Sequence, residues 1–175
     1  FLMSLEAQKL VQDLGFESRT PFEVKLDASS GMILKSVLNT DADMRTDDLR
    51  NAIQSLLGYS RLSVSFRFLE GSQVLDETSQ SNLGYLVNLL LSGRYDGRDV
   101  IFAGFSDSQG SSEGNLTISL DRARAVRATI NTMLAKKNVG QLQFQAIGLG
   151  EGLPIVCNNS DWGQYQNRRV EVWLK

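Results

Sequence analysis

An aspartate and an arginine stand where two groups of opposite charge could act together. Asp107 lies in GFSDSQG (residues 104–110), directly after the apolar run VIFA, and Arg122 follows in SLDRARAV (119–126). A carboxylate and a guanidinium that converge at the rim of a cleft form a plain ion pair, or they bind the ammonium and carboxylate of a zwitterionic ligand. Spacing alone favours the ion pair, and the ligand site is the alternative.

Composition excludes most catalytic chemistry. The chain contains no histidine and one cysteine, Cys157. Ser-His-Asp triads, Cys-His nucleophiles and zinc sites of the HExxH type are therefore excluded, and no intrachain disulfide can form. We expect a protein that is not an enzyme, with no catalytic residue, no metal and no cofactor.

Charge and hydropathy also exclude several partners. The 18 basic and 20 acidic residues leave a formal charge of −2, which offers no field for a polyanion, so we expect no nucleic-acid partner. No window approaches the roughly 18 consecutive apolar residues of a membrane span. The first residues lack the basic region and cleavage site of a signal peptide, so we expect a mature or excised chain with one or two small domains.

The pattern from residue 60 onwards is strand, helix, strand, helix, strand, irregular loop, strand. The four predicted strands alternate apolar and polar residues or are continuously apolar; they are RLSVSFRF, DVIFAGF, QLQFQAIG and RRVEVWL. The helices are predicted within residues 76–93 and 119–138, the second with Ser119 as its N-cap. This order predicts an α/β fold, in which helices pack on a mixed sheet of about four strands.

Residues 1–58 are predicted to form a separate, small α/β segment. Helices are predicted at 4–15 and 46–58 and a strand at 22–26, with a mobile polar loop between the strand and the second helix. We therefore expect a domain boundary between residues 58 and 59.

The predicted elements place the charged pair at one corner. Asp107 follows the carboxyl end of a buried strand, where α/β folds bind ligands, and Arg122 is expected in the first turn of the next helix. Asn115 is expected in the loop before that helix. Arg168 and Arg169 open the last strand, so alternation sends them to opposite faces and one can reach inward. The glycines of GLGEG (148–152) indicate a tight turn rather than a phosphate loop, because Pro154 stands where a helix would have to begin.

Four ordered motifs resemble the OmpA-like peptidoglycan-binding domain over residues 60–175. They are GFSDSQG, NLTISLDRARAV, GLGEGLP and NNSDWGQYQNRRVEVWL. The resemblance implies βαβαβ-loop-β topology, a periplasmic or cell-envelope location, and peptidoglycan of the diaminopimelate type as the partner. It favours the ligand site over the ion pair.

By this resemblance, Asp107 and Arg122 bind the ammonium and carboxylate that end the diaminopimelate side chain, which anchors the protein to the cell wall. The supporting residues implied by the motifs are Asn115, Ser106, Gly110, Arg168 and Arg169. Three positions depart from the family pattern: Phe105 replaces histidine, Ile118 replaces leucine and Gln164 replaces arginine. We expect the missing cation at 164 to weaken the affinity or to alter the ligand preference.

The start of the chain carries a second resemblance. FLMSLEAQKLVQDLGF (residues 1–16) is similar to the closing helix of phosphate-type periplasmic solute-binding proteins, which implies a possible solute-binding domain upstream. The main alternative function is an envelope protein-interaction domain attached to such a module. A surface that includes Trp162, Tyr165 and Trp173 would then dock the partner.

Overall fold

The structure is a computed structural model. It describes residues 58–69, 72–135, 137 and 140–175, and the backbone alone of residues 23–24. The strands are β1 (Glu23–Val24), β2 (Ser60–Arg67), β3 (Asp99–Gly104), β4 (Gln143–Gly148) and β5 (Arg169–Leu174). The helices are α1 (Glu77–Leu91), α2 (Ser112–Leu134) and α3 (Asp161–Asn167).

The strands form one mixed sheet in the order β1-β2-β5-β3-β4. The last strand, β5, lies between β2 and β3 and is antiparallel to both, whereas β3 and β4 are parallel. Each of the helices α1 and α2 connects one strand to the next across the sheet. The predicted mixed sheet of about four strands with helices is confirmed, and β1 adds a two-residue edge.

The core lies between one face of the sheet and the two long helices. Strand β2 alternates buried and half-buried residues, as its period-two pattern predicts. Strand β3 is buried on both faces from its second residue onwards, which fits its continuous apolar sequence. Core side chains from the strands and helices include Leu62, Phe66, Phe102, Val172, Leu86, Leu90, Val126 and Ile130.

Helix α2 begins earlier than the sequence predicts. Ser111 caps it by accepting a hydrogen bond from the amide of Gly114, at 3.1 Å, and Glu113 supplies negative charge in the first turn. The prediction of Ser119 as the N-cap is therefore wrong. Ser119 lies inside the helix, where its hydroxyl donates to the carbonyl of Leu116 and accepts from the amide of Gly150. Gly114, a weak helix former, disguised the first turn as a loop.

Helix α2 sits unusually close to the sheet. A Cβ on Gly104 would lie 1.9 Å from the carbonyl oxygen of Ser119, and one on Gly148 would lie 2.7 Å from that of Leu116. Glycine at the ends of β3 and β4 is what allows this approach. The contact fixes the height of α2 over the strand that leads to Asp107.

The segment predicted as an irregular loop contains a short helix, α3. Ser160 caps it by accepting from the amide of Gly163, and Tyr165 donates to the carboxylate of Asp76, the N-cap of α1. Burial by itself raises the pKa of Asp76, but the hydrogen bonds from Tyr165 and Ser79 and the nearby Arg67 hold it below its usual value. Helix α3 is thereby tied to the start of α1.

Most of the predicted N-terminal segment lies outside the described residues. This applies to the helices at 4–15 and 46–58, the polar loop between them and most of the strand at 22–26. Of that strand, Glu23 and Val24 are described and pair with Leu62 and Arg61.

Candidate ligand-binding site

Asp107 is both a turn residue and an ion-pair residue. It follows β3 and is 8% exposed. One carboxylate oxygen accepts the amide of Gln109 at 3.1 Å, and the other accepts a guanidinium NH of Arg168 at 2.7 Å. The ion pair predicted as the plain interpretation therefore exists, but its partner is Arg168 and not Arg122.

Arg122 is buried without a carboxylate partner among the described residues. Because α2 begins at Ser112, Arg122 lies in the third turn and not in the first, as predicted. The residue is 2% exposed; one terminal nitrogen donates weakly to the carbonyl of Ser72 at 3.4 Å, and the guanidinium carbon lies 5.2 Å from the ring centre of Phe68. A buried cation with so little compensation is energetically unfavourable.

The charges of Arg122, Arg168 and Asp107 act on one another. Burial lowers the pKa of Arg122, the guanidinium of Arg168 lowers it further, and the carboxylate of Asp107 opposes both effects. Asp107 and Arg122 are thus near enough for their charges to interact, but no direct bond joins them. Two cations and one anion share this corner.

Within the described part of the chain, three buried polar atoms of these residues and of the adjacent Ser106 have no hydrogen-bond partner. They are the Nε atoms of Arg122 and Arg168 and the hydroxyl of Ser106, which precedes Asp107. Buried polar atoms nearly always have partners, so such a group indicates a place where a ligand or water completes the bonding. All three can donate, and two of them carry positive charge.

The other predicted supporting residues hold the surrounding loops. Asn115 lies in the first turn of α2 and not in a loop, and its side-chain NH2 donates to the carboxylate of Glu151. Glu151 also accepts the hydroxyl of Ser112 at 3.1 Å. Gly110 has a φ of +94°, a conformation that favours glycine, and a Cβ there would lie 3.9 Å from the side-chain oxygen of Asn115. The GLGEG turn is confirmed, and it fastens the start of α2 through Glu151.

Arg169 belongs to a different network. Its Nε donates to the carboxylate of Glu171 at 2.8 Å, and its guanidinium stacks on Phe105 with the carbon 3.9 Å from the ring centre. Trp173 donates to the same carboxylate at 3.2 Å. Both arginines are therefore buried, whereas the sequence predicts that one of the pair reaches inward: Arg168 lies beside Asp107, and Arg169 stabilises the opposite face of the sheet.

Sequence reasoning missed the contacts that α3 makes. Gln164, where the family pattern has arginine, accepts the side-chain amide of Gln109 at 2.9 Å and so bridges α3 to the loop that contains Asp107. The one signal for this helix was the motif N-N-S-D, in which Ser160 can cap a helix that begins at Asp161.

The surface suggested for protein docking does not exist as a unit. Trp162 is 63% exposed, but Trp173 is 4% exposed and Tyr165 is bonded to Asp76. Among the described residues, no group of three or more acidic or cysteine side chains could hold a metal ion. None of the described helices has the length and apolar character needed to cross a membrane.

This chain is similar to several proteins of the bacterial cell envelope. Peptidoglycan-associated lipoprotein of Pseudomonas putida is 31% identical over 77 residues, 44% of this chain and 44% of that protein. Outer membrane porin F of Pseudomonas fluorescens is 29% identical over 112 residues, 64% of this chain and 32% of that protein. The crystal structure of the peptidoglycan-associated lipoprotein from Burkholderia pseudomallei has a TM-score of 0.54 and 29% identity, covering 63% of this chain and 89% of that chain.

These relatives confirm the predicted location in the cell envelope. The chain spans less than half the length of the two curated relatives. No comparison supports the solute-binding resemblance of the first 16 residues, which also lie outside the described part of the chain. The sequence model of the OmpA family matches residues 67–168, more than half of the chain, and the chain therefore belongs to that family.

Proposed function

We propose that this chain binds peptidoglycan without covalent chemistry and anchors an envelope protein to the cell wall. The ligand is the side-chain end of diaminopimelate, which carries one ammonium and one carboxylate. Arg122 binds the carboxylate, and Asp107 binds the ammonium. The domain responsible is residues 59–175, and a solute-binding module upstream is no part of this proposal.

The observation that carries the proposal is the uncompensated charge of Arg122. Arg122 is a buried guanidinium close to Asp107 but without a carboxylate partner of its own in the described part of the chain, so it lacks the anion that would balance it. A ligand carboxylate supplies that anion and accepts from the free Nε. The names of the relatives, two of them peptidoglycan-associated lipoproteins, support the choice of ligand.

Asp107 keeps capacity for a ligand although it is already bonded. An ionised carboxylate has about four lone-pair sites, and Asp107 uses two of them on Gln109 and Arg168. An ammonium can therefore add to the remaining sites without breaking the ion pair. The pair with Arg168 also fixes the orientation of the carboxylate before the ligand arrives.

Binding to one stem peptide is expected to be weak. Each charge-assisted hydrogen bond contributes about 1.5 to 3 kcal/mol when shielded, which corresponds to a dissociation constant on the order of micromolar to millimolar for a few such bonds. Anchoring then depends on the many equivalent sites of the wall mesh.

Co-sedimentation with insoluble diaminopimelate-type peptidoglycan tests the proposal. We expect the native chain to pellet, and Asp107→Asn and Arg122→Gln each to lose about ten-fold or more in affinity. Arg124→Gln is the matched control, since that arginine is on the same helix with its side chain 58% exposed. Thermal unfolding establishes that each variant is folded. Equal pelleting of all four proteins would contradict the proposed site, and no pelleting of the native chain would contradict the proposed ligand.

A further inference from the structure

We infer that Arg168 is a second carboxylate-binding residue, and that the carboxylate of the ligand decides specificity at this site more than the ammonium does. The inference rests on the proposed function and deepens it. Arg168 forms an ion pair with Asp107. The alternative is that Arg168 only holds Asp107 in place and does not contact the ligand.

The charge balance at the corner favours an anion. Arg122 and Arg168 contribute two positive charges and Asp107 one negative charge, and all three residues are less than a tenth exposed. A ligand that offers only an ammonium would add a third cation. A ligand that offers a carboxylate balances the corner, which is the larger gain where water is excluded.

The hydrogen bonds of the two arginines also favour an anionic ligand. Arg168 uses one terminal nitrogen on Asp107, and its Nε is buried without a partner among the residues that the structure describes. Arg122 has the same deficiency at its own Nε. Asp107, in contrast, has both oxygens bonded. The unfilled capacity at the corner is thus mostly donor capacity, and a carboxylate is the group that accepts from two guanidinium ions at once.

The backbone around Arg168 is fixed on both sides. Its amide donates to the carbonyl of Gln164 at 3.0 Å, which closes α3. The next residue, Arg169, is held by Glu171 and by the carbonyl of Leu153 at 3.1 Å. Arg168 is therefore presented from a rigid position, which reduces the entropy lost when a ligand binds.

The variant Arg168→Lys separates two roles of Arg168: neutralising Asp107 and binding the ligand carboxylate. A lysine ammonium still neutralises Asp107, but it has no Nε and cannot present a planar pair of donors to a carboxylate. If Arg168 served only as the partner of Asp107, Arg168→Lys would bind ligand like the native chain. If Arg168 binds the ligand, Arg168→Lys loses affinity only for ligands that carry the carboxylate.

The test uses the full 175-residue chain and three acetylated tripeptide amides, L-Ala-γ-D-Glu-X. Residue X is diaminopimelate, 2-aminopimelate or lysine, so its side chain ends in both groups, in the carboxylate alone or in the ammonium alone. Calorimetry measures the affinity of the native chain, Arg168→Lys and the control Arg124→Lys, each shown by thermal unfolding to be folded.

We expect the native chain to bind the carboxylate-only peptide within about ten-fold of the diaminopimelate peptide, and the ammonium-only peptide about 100-fold more weakly or not at all. Arg168→Lys should bind the two carboxylate-bearing peptides with about ten-fold or more lower affinity than the native chain, and Arg124→Lys should bind them with unchanged affinity. The inference is overturned if the ammonium-only peptide binds better than the carboxylate-only peptide, or if Arg168→Lys binds all three like the native chain. If the native chain binds neither the peptides nor intact peptidoglycan, the proposed function itself fails.

Discussion

Burial and charge balance distinguish Arg122 from the other buried arginines. Arg169 is about as buried but is bonded to Glu171 and to backbone carbonyls, and Arg168 is bonded to Asp107. Arg122 has one long contact to the carbonyl of Ser72 and no carboxylate in reach among the described residues. Its desolvation is therefore a cost that the folded chain bears without a ligand.

The sequence could place Asp107 and Arg122 at the same corner, because one follows a buried strand and the other lies on the inward stripe of the next helix. It could not pair Asp107 with Arg168, which follows 61 positions later. The direction of Arg168 depends on α3, and that helix was not predicted. Burial of the Nε atoms is likewise a property of the packed molecule and has no local signal.

When no ligand is bound, the buried charge of Arg122 should destabilise the fold. We expect Arg122→Met, which keeps an unbranched side chain against Phe68, to raise the free energy of unfolding by about 1 kcal/mol or more and to abolish peptidoglycan binding. Urea unfolding followed by circular dichroism measures the first effect and co-sedimentation the second. A clear loss of stability would mean that Arg122 is needed for packing, and would count against its role as a ligand residue.

At the scale of elements, the close approach of α2 to the sheet positions the site. Gly104 ends β3 three residues before Asp107, and it meets the backbone of α2 at Ser119, one turn before Arg122. The hydrophobic periods predicted β2, β3 and the body of α2. They did not predict the first turn of α2, which contains Gly114, or α3, which has seven residues and no apolar stripe.

Alanine substitutions at two glycines test this contact. In Gly104→Ala the new Cβ would lie 1.9 Å from a backbone oxygen, so we expect a loss of about 2 kcal/mol or more in unfolding free energy. Gly84→Ala is the matched control: Gly84 lies within α1, a Cβ there meets nothing within 4 Å, and we expect a gain of about 0.5 to 1 kcal/mol. Equal effects at the two positions would show that α2 does not need the close approach.

At the scale of the whole molecule, the order of the strands makes the site depend on the last strand of the chain. The last strand, β5, inserts between β2 and β3, so Arg168 reaches Asp107 only when the end of the chain is in place. Local patterns predicted the four main strands, the two long helices and the family, but strand order is a long-range property that hydrophobic alternation does not encode. The family match covers residues 67–168, in the C-terminal part of the chain.

Truncation tests the predicted domain boundary. We expect residues 59–175 to fold cooperatively and to bind peptidoglycan like the full chain, because β1 is the one described strand that removal of residues 1–58 deletes, and it is a two-residue edge strand. Thermal unfolding and co-sedimentation of the fragment give the two readouts. Failure of the fragment to unfold cooperatively would place part of the N-terminal segment within the domain.

The most direct measurement of the central claim is a nuclear magnetic resonance titration of the full chain, labelled with nitrogen-15 at arginine, with the soluble diaminopimelate tripeptide amide. The Nε–H signals of Arg122 and Arg168 report on atoms that have no hydrogen-bond partner among the described residues. We expect both signals to shift saturably as peptide is added, while the signal of the exposed Arg124 stays in place. Unchanged signals of Arg122 and Arg168 at millimolar peptide would contradict a ligand site at this corner.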